Sequence, residues 1–116
     1  MKQERLRQIL DKIKNSRIGV IGDFCLDAYW TLAEGERELS VGTGRSTHAV
    51  TSQKYALGGA ANVVANLAAL ETGRIHAFCV IGNDVFGREM VNQLQGLGVD
   101  NRGVITQFEN WDTPVY

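Results

Sequence analysis

The residues of this chain best suited to bind a small polar ligand lie at and around a pair of adjacent glycines. Gly58 and Gly59 open a run of small and aliphatic residues that continues to Leu70, and Asn62 lies in its first turn. Glycine has no Cβ, so a ligand can approach its backbone closely. The first turn of a helix also carries amide N–H groups without intrahelical partners, and an asparagine side chain both donates and accepts hydrogen bonds. The stretch therefore predicts the polar end of a helix that contacts a small polar molecule.

Two aspartates form the second candidate group. Asp23 and Asp27 follow the apolar stretch 18–22, whose composition is typical of a buried parallel strand. We expect both carboxylates at the carboxyl end of that strand. The residues alone leave plainer roles open. Asp27 can be a turn or capping residue, the glycine pair can serve helix–sheet packing, Asn62 can be a first-turn capping residue, and Asp23 can form a turn or orient its neighbours.

Alternating strand and helix patterns would hold these groups in place. Predicted helices span residues 3–14, 60–71 and 86–96, and predicted strands span 18–22, 76–81 and 104–108, with a further strand starting at 114–116. Asp84 is placed to cap the third helix. Strands that alternate with helices predict an α/β fold with a mostly parallel sheet.

Residues 28–57 differ from this pattern. They are polar and alternate irregularly, which predicts exposed antiparallel strands with loops near 34–37 and 42–46. The chain also ends as a new element begins. Three or four strands with only three helices would leave a sheet face or edge uncovered. We therefore expect an incomplete, N-terminal part of a longer protein.

Composition narrows the function classes. The chain has 116 residues, 44% of them hydrophobic, and a formal net charge of -1, which gives no electrostatic reason to expect nucleic acid or a membrane as partner. Cys25 and Cys79 lie in apolar stretches, as expected for buried reduced thiols of a cytoplasmic protein. His48 and His76 have no partners at metal-ligand spacing, so no metal site is predicted.

Three short motifs occur in a fixed order, and together they indicate one protein family more specifically than any of them does alone. They are Gly-Asp-Phe-Cys-Leu-Asp at 22–27, Gly-Gly-Ala-Ala-Asn at 58–62 and Gly-Asn-Asp-Val-Phe-Gly at 82–87. The chain resembles the N-terminal third of the ribokinase-like (PfkB) carbohydrate kinases over residues 17–116. Residues 22–30 and the short glycine–asparagine motif look most like the heptose-phosphate kinase branch.

The resemblance implies a ribokinase-like fold with an α/β core at 1–27 and 58–116 and a β lid at 28–57. It implies that Asp27 accepts hydrogen bonds from sugar hydroxyls, that Gly58 and Gly59 let the sugar lie against the backbone, and that Asn62 is a sugar-contacting amide. It also implies ATP and Mg²⁺ as cofactors and a homodimer formed through the lid.

The implied activity is transfer of the ATP γ-phosphoryl group to a hydroxyl of a sugar or sugar phosphate. The family's catalytic aspartate and ATP site have no counterpart in residues 1–116, so we expect this segment alone to be inactive, with no catalytic residue of its own. The alternative is a non-catalytic α/β module that binds a sugar or a nucleotide. A Rossmann-like domain fits less well, because the run 22–27 is too acidic and too bulky for a pyrophosphate.

Overall fold

The computed structural model describes residues 2–35 and 37–116. Its helices are α1 (Gln3–Ile13), α2 (Gly59–Ala69) and α3 (Val85–Gly96), and its strands are β1 (Arg17–Ile21), β2 (Phe24–Leu32), β3 (Glu38–Leu39), β4 (Ser46–Thr47), β5 (Val50–Gly58), β6 (Arg74–Gly82) and β7 (Asp100–Gln107). None of the helices in these ranges is long and apolar enough to cross a membrane.

The predicted parallel sheet is confirmed, with strand order β1-β6-β7. Alternate residues of β6 point to a core formed with α2 and α3. This core contains Ala77 and Ile81 of the central strand, Val64 of α2, and Met90 and Leu94 of α3, all at most 2% exposed.

The opposite face of the sheet carries apolar side chains that the described residues leave exposed. Ile21 is 84% exposed and Ile105 is 63% exposed. Between them, the Phe78 ring lies over two glycines: a Cβ at Gly19 would meet the ring at 3.3 Å, and one at Gly103 would overlap it at 2.3 Å. The exposure of this face agrees with the expectation that so few strands and helices leave one side of the sheet uncovered.

A long antiparallel ribbon of β2 and β5 projects from this core. Its base is buried, as at Leu26 and Leu57, whereas its tip is exposed, as at Trp30 and Leu32. The radius of gyration is 19.1 Å, against roughly 13 Å for a compact domain of this length. The antiparallel strands predicted in 28–57 are therefore confirmed, and β3 and β4 form a further short antiparallel pair. Within the predicted loop at 34–37, residue 36 lies outside the described residues.

Two expectations about position differ from the structure. Asp27 does not directly follow the first strand but lies within β2, paired with Ala56, because a new strand begins at Phe24 immediately after Asp23. β7 begins at Asp100 rather than at 104. The segment 114–116 pairs as predicted, and its partner is β2, through a parallel bridge between Leu26 and Val115.

Candidate functional site

The base of the ribbon places the Asp27 carboxylate against Gly58. A Cβ on Gly58 would lie 2.7 Å from Asp27 Oδ1 and 2.7 Å from Cys25 Sγ, so the missing side chain makes room for both groups. Asp27 is half-buried, and its carboxylate accepts no hydrogen bond from residues 2–35 or 37–116. A half-buried carboxylate with unused acceptor oxygens is suited to a ligand that brings hydroxyl donors.

Gly59 brings the start of α2 against the end of β1. Its φ is +54°, a left-handed conformation that favours glycine. A Cβ there would also lie 2.5 Å from the carbonyl oxygen of Asp23. That carbonyl accepts a 2.8 Å hydrogen bond from the Ala60 amide. One first-turn amide, expected to face a ligand, is therefore already engaged by the backbone of Asp23.

A cavity of about 790 Å³ opens beside this turn. Its polar edge comes from Gly22, Asp23 and Gly59, and aromatic side chains form much of the rest. The aromatic residues are Phe24, Phe78, Trp111 and Tyr116. Asp27 and Gly58 do not line this cavity, but Cys25, whose sulfur lies near both glycines, does.

Asn62 faces a different part of the surface. It lines a shallow depression together with Tyr55, Leu57 and Gln93. Its backbone carbonyl accepts a 2.9 Å hydrogen bond from Asn66 Nδ2, and its side-chain oxygen lies 3.4 Å from the same nitrogen. The structure therefore brings Asp27, Gly58 and Gly59 together and places Asn62 outside the cavity beside them.

The Asp84 carboxylate forms hydrogen bonds both at the start of α3 and to Thr113, which lies 29 residues later in the chain. Its Oδ1 accepts from the Gly87 amide at 2.7 Å, which confirms the predicted N-cap, and its Oδ2 accepts from the Thr113 amide at 2.7 Å. The Thr113 hydroxyl in turn accepts from the Gly82 amide at 3.0 Å. Burial alone would raise the pKa of Asp84, but the hydrogen bonds from Thr113 and Gly87 outweigh it and lower the pKa.

The residues after Thr113 bond to the strand that carries Asp27. The Leu26 amide donates to the Pro114 carbonyl at 3.0 Å, the Ala28 amide donates to the Tyr116 carbonyl at 2.7 Å, and the Tyr116 amide donates to the Leu26 carbonyl at 2.9 Å. Both neighbours of Asp27 are therefore held by the segment 114–116.

The two thiols are buried, as expected, and their pKa values are raised. Burial raises the pKa of Cys79 to about 11. Burial, followed by the negative charges of Asp27 and Asp23, raises the pKa of Cys25. Neither thiol is suited to act as a nucleophile near neutral pH. Within the described part of the chain, no group of three or more His, Cys, Asp or Glu side chains could hold a metal ion.

Reasoning from the sequence missed Thr113 and Trp111. Thr113 is 4% exposed and is the only buried polar residue in the described ranges. Its partners lie about 30 positions earlier in the chain, so no local pattern could reveal it. The one available signal was that Thr113 directly precedes Pro114, the start of a predicted strand.

Comparison with known proteins agrees with the family resemblance of the sequence motifs. A family model described as pfkB family carbohydrate kinase matches residues 16–113. The bifunctional protein HldE of Wolinella succinogenes is 39% identical over 100 residues, which cover 85% of this chain and 20% of that protein. The chain thus spans about a fifth of the length of this curated relative.

Two solved structures show the same fold. Halothermothrix orenii fructokinase matches with a TM-score of 0.58 at 21% identity, over 86% of this chain and 32% of that one. A sugar kinase from Pyrococcus horikoshii, solved in complex with ATP, matches with a TM-score of 0.56 at 24% identity, over 84% of this chain and 28% of that one. The predicted ribokinase-like α/β fold is confirmed.

Proposed function

Because the chain belongs to the pfkB family of carbohydrate kinases, we propose that it supplies the sugar-binding side of an ATP-dependent kinase. That kinase transfers the γ-phosphoryl group to a hydroxyl of a sugar or sugar phosphate. The observation that carries the proposal is the Asp27 carboxylate, half-buried beside Gly58 and without a hydrogen-bond donor among the described residues.

The chemistry of Asp27 fits this role. A partly buried carboxylate is destabilised when its oxygens lack donors. Two neighbouring sugar hydroxyls can each donate to one carboxylate oxygen. Because Gly58 has no side chain, the Asp27 carboxylate fits at this point of the strand, and a sugar bound to it meets no side chain from residue 58. Asp27, Gly58 and Gly59 form the core of the proposed site, and Asn62 contacts the sugar only where the sugar extends past α2.

The phosphoryl transfer itself is assigned to groups outside these 116 residues. ATP and Mg²⁺ would supply the phosphoryl group and neutralise its charge. None of the described residues is given a catalytic role, because no motif in the chain matches the family's catalytic aspartate. The residues 28–57 form the proposed lid, which would exclude water from the sugar and, through its exposed tip, join two copies of a cytoplasmic protein.

Calorimetric titration of the chain tests this proposal. The probes are D-fructose, D-ribose and sedoheptulose 7-phosphate, the last chosen because residues 22–30 resemble heptose-phosphate kinases. We expect one of these sugars to bind and Asp27→Ala to weaken that binding at least about tenfold, the effect of a lost charged hydrogen bond. Asp11→Ala, on the exposed face of α1, is the matched control and should change nothing.

Circular dichroism of each variant separates loss of binding from loss of fold. Unchanged affinity in Asp27→Ala would refute the site. Assay of the protein as its source makes it then tests the reaction. Sugar binding without ATP-dependent phosphorylation would favour a non-catalytic binding module over a kinase.

A further inference from the structure

We propose that Asp84 is a positioning residue for Asp27, acting through Thr113 and the segment 114–116. This inference rests on the proposed function, since it concerns the same sugar-binding carboxylate. Asp84 and Asp27 lie on different elements, and no hydrogen bond joins them directly. The connection runs from Asp84 to Thr113 through a hydrogen bond, along the covalent chain to 114–116, and through further hydrogen bonds to the residues on either side of Asp27.

The first step is the use of both oxygens of Asp84. An N-cap needs one acceptor, which Oδ1 provides to the Gly87 amide. Capping therefore leaves the 2.7 Å bond between Oδ2 and the Thr113 amide unexplained. That bond joins positions 84 and 113 and fixes a segment that has no regular secondary structure between Phe108 and Thr113.

The second step is the glycine environment of this junction. A Cβ on Gly82 would lie 2.4 Å from Asp84 Oδ2 and 2.9 Å from the Thr113 nitrogen. A Cβ on Gly87 would lie 2.9 Å from the Thr113 hydroxyl oxygen. Both glycines thus leave room for the contact between Asp84 and Thr113.

The third step leads to the site. Immediately after Thr113, the carbonyls of Pro114 and Tyr116 accept from the amides of Leu26 and Ala28, the two neighbours of Asp27. Release of Thr113 would loosen this short parallel pairing, and the backbone of Asp27 would then be held on one side only, by β5. Binding depends on well-placed acceptors, so the affinity for sugar should fall even though Asp27 is unchanged.

The decisive variant is Asp84→Ser. Serine is a good N-cap, but its single hydroxyl is shorter and cannot serve Gly87 and Thr113 at once. The variant therefore retains capping and removes the connection. Asp84→Asn is the second variant: its amide offers one acceptor, and its NH₂ group would face the other N–H donor. Asp100→Asn is the control, because it removes a carboxylate that pairs with His76 and Arg102 at the other end of the sheet.

Two measurements on the full chain are compared. Amide hydrogen exchange at Leu26 and Ala28 should become about fivefold faster in Asp84→Ser, the effect of one lost hydrogen bond, with no change at β6–β7 amides. The affinity for the sugar that the wild type binds best should fall about fivefold to tenfold. Asp100→Asn should change neither quantity. A variant with only a structural effect would accelerate exchange throughout the sheet.

The outcomes separate the two proposals. Unchanged exchange at Leu26 and Ala28 overturns the connection. Faster exchange there with unchanged sugar affinity also overturns it, because Asp27 would then be positioned without Asp84. If no probe sugar binds, or if Asp27→Ala binds as the wild type does, the proposed function fails, and the exchange data alone decide whether Asp84 holds the strand. If Asp84→Ser does not fold, Asp84→Asn provides the same comparison.

Discussion

A methyl group added at Gly58 is the most direct probe of the proposed site. Gly58 has φ -112° and ψ 171°, an extended conformation that alanine adopts without strain. Any destabilisation by Gly58→Ala therefore comes from the contacts of the new Cβ and not from strain in the folded backbone. That Cβ would lie 2.7 Å from Asp27 Oδ1, 2.7 Å from Cys25 Sγ and 3.0 Å from Asp27 Cγ.

The size of the effect follows from these overlaps. Favourable carbon contacts lie at about 3.5–4.0 Å, so the Cys25 and Asp27 side chains must each move by up to about 1 Å. Overpacking of this kind costs about 1–3 kcal/mol. For 116 residues, an unfolding entropy of roughly 0.24 kcal/mol/K converts this into a fall in Tm of roughly 4–12 °C. The displaced carboxylate should also weaken sugar binding.

Thermal unfolding followed by circular dichroism measures the first effect, and calorimetric titration measures the second. Gly96→Ala is the matched control, because nothing lies within 4 Å of a Cβ at that position; it should leave stability unchanged or raise it by about 0.5–1 kcal/mol. Cys25→Ala combined with Gly58→Ala should recover part of the loss, since one overlap disappears.

A Gly58→Ala variant as stable as the wild type would show that the Asp27 side chain can move away from the new Cβ at no cost in stability. The argument that the Asp27 carboxylate needs the space left by the missing Cβ of Gly58 would then be wrong. Additive effects of Cys25→Ala and Gly58→Ala would refute the specific contact with the sulfur.

Three further results are expected. Asp84→Asn should be about 1 kcal/mol less stable at pH 7, because asparagine caps a helix as well as aspartate does but cannot accept both hydrogen bonds that the carboxylate accepts. Because the folded pKa of Asp84 is lowered from the ordinary value of 3.8, this contribution is present above pH 3.8 and disappears as the pH falls through the folded value, which urea unfolding between pH 3 and 7 would show. Cys79, with its pKa of about 11, should react with a disulfide reagent at pH 8 far more slowly in the folded chain than in urea. Gly103→Ala should lower stability by about 1–3 kcal/mol, since its Cβ would lie 2.3 Å from Phe78 Cδ1 and 2.7 Å from the Ala77 carbonyl oxygen.

Each of these results can contradict the structure. A loss in Asp84→Asn that does not change between pH 7 and 3 would mean that ionised Asp84 makes no net contribution. Equal rates of Cys79 modification in the folded and unfolded chain would mean that the thiol is accessible. A stable Gly103→Ala variant would show that the Phe78 ring moves away without loss, and Phe78→Leu in the same background would check this.

Local patterns accounted for the elements and for part of the site. Asp84 was predicted as an N-cap because the cap and the helix it starts lie within three residues of each other. The alternation of strands and helices was sufficient for the parallel sheet. The glycine pair was identified because its spacing from the helix is also local.

Contacts between distant residues were not accessible in this way. Asp27 was expected directly after β1, but the strand containing it is defined by pairing with β5, whose residues lie about 30 positions later. Thr113 carries no local signal of its bond to Asp84. The separation of Asn62 from the cavity depends on which side of α2 faces the ribbon, and this is decided by packing of the folded chain.

The β2 strand has a consequence for how such a chain can change over time. Phe24 and Leu26, near its start, are at most 1% exposed, and Leu26 pairs with β5 on one side and with the segment 114–116 on the other. Its last residues, such as Trp30 and Leu32, lie on the exposed tip. Surface substitutions usually change stability by less than about 0.5 kcal/mol. Random mutation should therefore be rejected at the base and tolerated at the tip, so that a single strand combines the proposed ligand contact with a surface open to sequence drift.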